Sequence, residues 1–98
     1  MEFQLGFSML KTLENLINII RDRKSSSDES SYTSKLLKDK SLSVEKVKEE
    51  IGELIEAVEN NSNKIHEAAD VFYHLLMYLE KSSVRIEDVM KELKKRKK

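Results

Sequence analysis

An all-α fold is predicted by two features of this 98-residue sequence. There is no proline, and Gly6 and Gly52 are the only glycines, so the turn chemistry of a multi-stranded sheet is missing. Apolar residues recur at helical spacing in stretches divided by short polar segments, which predicts an antiparallel bundle of about four helices in a single domain, residues 1–98.

Residues 1–8 carry little pattern and are expected to be irregular or disordered, with Ser8 or Thr12 capping a first helix. That helix runs to about Arg23 on the stripe Leu13, Leu16, Ile17 and Ile20. Residues 24–30 (Lys-Ser-Ser-Ser-Asp-Glu-Ser) form a polar linker without an apolar anchor, the expected mobile loop. Ser31–Leu37 reads as a short helix or turn with Ser31 near its cap, and Tyr32 and Leu36 share its packing face. Ser43 is the expected cap of a second helix whose core stripe is Val44, Val47, Ile51, Leu54 and Val58, beside a row of Lys46, Glu50, Glu53 and Ala57. Gly52 inside it costs about 1 kcal/mol relative to Ala, and close helix packing is the expected reason for it. Asn60–Asn63 is a turn, with Asn63 as cap of a third helix running to about Lys81. Its expected stripe is Ile65, Ala68, Phe72, Leu75, Leu76 and Leu79. Ser82-Ser83 breaks it, and a last helix from about Ile86 directs Val89, Met90 and Leu93 inward.

Composition narrows the function classes. Eighteen basic and eighteen acidic residues cancel, which makes nucleic acid a poor partner. The absence of cysteine excludes disulfides, thiolate zinc and a thiol nucleophile, and suits a reducing cytoplasm. No apolar run reaches membrane-spanning length, and the start of the chain lacks the pattern of a signal peptide. With 39% hydrophobic and 37% charged residues the core is modest, while the third helix is apolar on nearly every side. A homo-oligomer, dimer or tetramer, is therefore expected.

The charges are unevenly spread. Residues 91–98 hold six basic residues against one Glu, which suits the dipole at a helix C-terminus. Residues 45–59 hold six Glu against two Lys. Within and after that stretch, Glu50 with Glu53 and Glu67 with Asp70 are spaced three apart, so each pair shares one helical face. Side by side, the two helices would aim four carboxylates at one point, where like charges repel unless an oxygen-seeking cation lies between them. Mg²⁺ is the expected ion, with Mn²⁺ as a substitute. Glu45, Glu56 and Glu59 read as solvated surface charges.

The blocks Ser31-Tyr32-Thr33…Leu36, Lys46-Val47…Glu49-Glu50…Glu53, Glu67…Asp70…Tyr73-His74-Leu75-Leu76 and Asp88-Val89…Leu93…Arg96 resemble the phosphoribosyl-ATP pyrophosphohydrolase family, within the all-α MazG-like superfamily. The likeness covers roughly residues 10–96. Lys48 and Ser83 stand where that family usually has glycine. The resemblance implies Mg²⁺-dependent hydrolysis of phosphoribosyl-ATP to phosphoribosyl-AMP and pyrophosphate, the second step of histidine biosynthesis. It implies metal ligation by Glu50, Glu53, Glu67 and Asp70, and catalytic roles for Glu49, Glu50 and Glu53, Glu49 as further ligand or as general base. Lys35, Lys46 and Arg96 match basic family positions suited to phosphate, and Tyr32 and Thr33 are candidate contacts to ribose or base. His74 is expected to orient a carboxylate or to be a hydrogen-bonded core residue. Two rival functions remain open: a MazG-like house-cleaning nucleoside triphosphate pyrophosphohydrolase, and a non-catalytic helical interaction module.

Overall fold

The structure, a computed structural model, describes residues 2–25 and 32–96, with the side chains of 2–9, 33 and 34 excepted. The described residues are all-helical, in the order α1 (Glu2–Ser25), α2 (Tyr32–Lys38), α3 (Lys40–Glu59), α4 (Lys64–Lys81) and α5 (Ile86–Lys95). Three long helices, α1, α3 and α4, with the shorter α2 and α5, match the expected class. The expected linker is only partly covered: Lys24 and Ser25 complete α1, whereas residues 26–30 and the Ser31 cap lie outside the described residues.

Two helix starts differ from expectation. α1 begins at Glu2, so Ser8 and Thr12 lie inside it and residues 2–8 form its first turns. No proline interrupts that stretch, and one glycine is too weak a breaker to stop it. α3 begins earlier because Asp39 takes the cap: its Oδ1 accepts the Leu42 amide at 3.0 Å. Ser43 is instead buried one turn inside, 3% exposed.

The α3–α4 turn and the end of α4 are both built on left-handed residues. Asn61 has φ 52°, and its amide and that of Ser62 return to the carbonyls of Val58 and Ala57. Ser83 has φ 61°, and the amides of Ser83 and Val84 return to Glu80 and Leu79. Each is the paired 5→2 and 6→1 closure that usually takes glycine at the left-handed position. Ser83 therefore holds a position that suits glycine, as the sequence resemblance implies. Asn63 sits at the cap of α4, also left-handed at φ 61°, but its side chain makes no capping bond.

The core lies where α1 and α2 wedge against the second half of α4. Ile20, Leu36, Leu37, Leu76 and Met77 are buried together, with Leu13, Leu16, Ile17, Leu42, Tyr73 and Ile86 around them. Polar bonds close its rim: Arg21 reaches Glu80 at 3.0 Å and Glu87 at 2.7 Å, and Lys81 Nζ donates to the Leu37 carbonyl at 2.7 Å.

Three expected stripes are corrected. On α3 the buried residues are Ser43, Glu50 and Ala57, whereas Ile51 and Val58 are exposed. On α4 His74, Leu76 and Met77 are buried, but Ile65 is 88% and Phe72 56% exposed. On α5 Met90 and Leu93 face outward, because this short helix packs against the end of α4 chiefly through its start. The cause on α3 and α4 is shared: the helices meet through the row that carries the acids and small residues, which rotates the larger apolar side chains away. Gly52 does not mark a close approach either, since a Cβ there would meet nothing within 4 Å.

Candidate active site

α3 and α4 form the most extensive helix–helix contact of the described residues, and it carries the acids. Glu49, Glu50 and Glu53 each offer a carboxylate oxygen within 4.8 Å of the others, and His66, Glu67 and Asp70 form a second such group. The two groups face each other across the helix pair through Glu53 and Glu67, where the Glu67 charge helps raise the Glu53 carboxyl. A cleft of about 320 Å³, lined by Glu53, Glu56, Ala57, Asn60, Asn63 and Glu67, opens from this junction toward the α3–α4 turn.

The electrostatics of the cluster are unfavourable within the chain itself. Glu53 is held above the ordinary carboxylate value, first by the charge of Glu50, then by desolvation and by Glu67 and Glu49. Glu50 is only 7% exposed. Its Oε1 and the Oε1 of Glu67 are buried without a hydrogen-bond partner. A buried carboxylate oxygen in that state is costly unless another group meets it. Among the described residues Lys46 brings a positive charge to the first group, its Nζ 2.9 Å from Glu49 Oε1. A donor set of several carboxylates, two of them with an unmet inward oxygen, fits a hard divalent cation.

A second layer holds the site in place. His74, buried below Asp70, has Nδ1 at 2.9 Å from the Asp70 carbonyl, which can only accept, so Nδ1 carries the proton. Nε2 is then left to accept the Tyr32 hydroxyl at 3.2 Å. His74 thus holds a backbone carbonyl and a tyrosine, not a carboxylate. Tyr73 packs edge-on to the same imidazole at 5.1 Å. Burial raises the Tyr32 phenol above its ordinary value, and the nearby Lys46 charge works against that rise.

The remaining residues divide. Lys46 and Tyr32 lie beside Glu49 and Glu50, at the rim of the acid cluster. Lys35 is exposed on α2, and the side chain of Thr33 lies outside the described residues. Arg96 is not brought to the cluster within one chain: it is 72% exposed at the end of α5 and bonds Glu92 at 3.1 Å. α5 lies against α4 and not against α3, so its end is not carried onto the acid-bearing face between them. His66 joins the acids without being singled out by the spacing of carboxylates; its i, i+4 relation to Asp70 is the signal that reveals it.

The sequence model of the phosphoribosyl-ATP pyrophosphohydrolase family matches residues 13–97. The chain belongs to this family. Among its relatives, the phosphoribosyl-ATP pyrophosphatase of Clostridium novyi is 39% identical over 94 residues, covering 91% of this chain and 84% of the relative. The one from Sulfurisphaera tokodaii is 45% identical over 87 residues, covering 86% and 93%. The chloroplastic histidine biosynthesis bifunctional protein of Arabidopsis thaliana is 40% identical over 89% of this chain, which corresponds to 34% of that longer protein. No solved structure matches the chain significantly. Membership covers the acid pairs, Tyr32 and His74 alike, all of which lie inside the matched span.

Proposed function

We propose that this chain is a phosphoribosyl-ATP pyrophosphohydrolase, releasing pyrophosphate and phosphoribosyl-AMP in the second step of histidine biosynthesis, with Mg²⁺ as its cofactor. The observation that carries the reading is the buried Glu50 oxygen with no partner, set beside Glu53 and Glu67. An interaction surface has no use for carboxylates turned inward upon one another, whereas a hydrolase acting on a triphosphate does. Glu50, Glu53, Glu67 and Asp70 would hold the ion, which when bound balances the charge of both carboxylates and triphosphate and activates water.

The chain's own residues supply the rest. Lys46 at the rim neutralises phosphate charge, and its bond to Glu49 holds that carboxylate within reach of Glu50 and Glu53. Glu49 is half exposed, so it remains open to the solvent that provides the nucleophile, as general base or as a further ligand. Tyr32, bonded to His74 and partly exposed near Lys46, is open to ribose or base, with Thr33 adjacent in sequence. Arg96 contributes only if it comes from another copy of the chain. The exposed Ile51, Ile55, Val58, Ile65 and Phe72 support a homo-oligomer. No helix of the described residues is long and apolar enough to cross a membrane, and the proposed setting is the cytoplasm.

The test is pyrophosphate release from phosphoribosyl-ATP with Mg²⁺, against a panel of nucleoside triphosphates. Phosphoribosyl-ATP is expected to be the preferred substrate. A preference for dCTP or dUTP would move the chain to the house-cleaning branch of the superfamily. No hydrolysis of any of them, together with no divalent-metal binding by calorimetry, would overturn the reading.

A further inference from the structure

We propose that His66 supplies a nitrogen donor to the cation site, so that this chain binds Co²⁺ and Mn²⁺ more tightly, relative to Mg²⁺, than its carboxylates alone would. The inference rests on the reading of the acid cluster as a divalent-cation site. It starts from sequence: His66-Glu67-Ala68-Ala69-Asp70 sets His and Asp one helical turn apart with a Glu between them. The same i, i+4 relation lets the His-Glu-x-x-His pattern place two metal ligands on one helix face.

The geometry agrees. His66 Nε2 lies 3.3 Å from Asp70 Oδ2, and one ligand atom from each of His66, Glu67 and Asp70 falls within 4.8 Å of the others. Ligands at right angles, each about 2.1 Å from a shared metal, are about 3 Å apart, so the imidazole already stands at the spacing of a neighbouring ligand. The independent sign of an occupant is the buried, partnerless Oε1 of Glu67, in the same group, matched by that of the 7%-exposed Glu50 in the neighbouring group. His66 is 65% exposed, so its ring is free to turn from Asp70 to an ion. Carboxylates alone suit Mg²⁺, whereas an imidazole adds little for Mg²⁺ and favours the later transition ions. If His66 were only a surface partner of Asp70, its removal would leave that ratio unchanged, as exposed ion pairs contribute little.

The test compares the intact metal-free chain with His66→Ala. Each is titrated calorimetrically with Co²⁺ alone and Mg²⁺ alone, and the Mn²⁺-loaded chain is examined for nitrogen coupling by pulsed electron paramagnetic resonance. Histidine nitrogen coupling is expected in the natural chain and not in His66→Ala, with Co²⁺ affinity falling about tenfold and Mg²⁺ affinity held within about twofold. Mg²⁺ binding without nitrogen coupling, or an unchanged Co²⁺ to Mg²⁺ ratio in the variant, would overturn the role of His66 alone. Failure of every divalent ion to bind the natural chain would overturn the cation site with it.

Discussion

Along the second half of α4, charge is balanced inside the chain, whereas along the first half it is not. Glu80 there is paired with Arg21 at 3.0 Å, and Lys81 closes a carbonyl of α2 above buried Leu76 and Met77. Above His74, Glu67 and Asp70 form one acidic group with His66, while Glu50 and Glu53 form another with Glu49; the Oε1 atoms of Glu50 and Glu67 are buried without a hydrogen-bond partner. His74 is the joint, bonded upward to the Asp70 carbonyl and sideways to Tyr32. One end of the helix is thus built for stability, and its surplus offsets the strained acidic end.

The largest expected effect comes from breaking the acid end. Glu53→Gln should lower turnover about a thousandfold, equivalent to ~4 kcal/mol of transition-state stabilisation. The same change removes a repelled charge, so the thermal midpoint without divalent ions should rise, not fall. Pyrophosphate release and a melting curve on one preparation read both. Near-normal turnover, or a clear loss of stability, would place the acids among ordinary structural charges.

Breaking the other end should give the reverse pattern. Leu36 is wholly buried in the core, and Leu36→Ala should destabilise the fold by about 3 kcal/mol, read from urea denaturation. Mg²⁺ affinity, measured well below the unfolding transition, should stay within a few-fold of the natural chain. A large loss of Mg²⁺ affinity would mean that the two ends are not separable.

Much of this division is legible in the residues alone. The spacing of Glu50, Glu53, Glu67 and Asp70 suffices to put acids on facing sides of two helices, and Ser82-Ser83 suffices to end α4. The buried face of α3 was not legible from apolar periodicity, which selects Val44, Val47, Ile51, Leu54 and Val58. Val44, Val47 and Leu54 are half-buried, but Ile51 and Val58 are exposed and the fully buried residues are Ser43, Glu50 and Ala57, because a hydrophobic count cannot recognise a buried face that carries an acid. Asp39 displaced Ser43 as cap because either residue can bond a free amide, and only the geometry of Leu42 decides. Arg96 matched a family position, yet α5 lies against α4 and not against α3, which no local pattern encodes.

The smallest expected effect is also the one that sets the two ends most directly against each other, through pH. Bonds from Arg21 hold Glu87 down to about 2, against an ordinary 4.5. Between those values the unfolded chain binds the proton that the folded chain refuses, so this contribution is present above pH 4.5 and is lost as the pH falls toward 2. Glu53 is shifted upward, chiefly by Glu50, so the folded chain keeps its proton longer than the unfolded one. Its contribution is most favourable below 4.5 and is lost as the pH rises through the raised folded value. The metal-free chain should therefore be modestly destabilised on both sides of that point. Both side chains are open to water, which keeps each slope shallow. Melting midpoints taken between about pH 2 and pH 8 should flatten on the acid side in Glu87→Gln and on the neutral side in Glu53→Gln. Mg²⁺ should flatten only the neutral side of the natural chain, since it compensates the acids and leaves the Arg21 pair untouched. An equal effect of Mg²⁺ on both sides would show that the ion binds no particular end of α4.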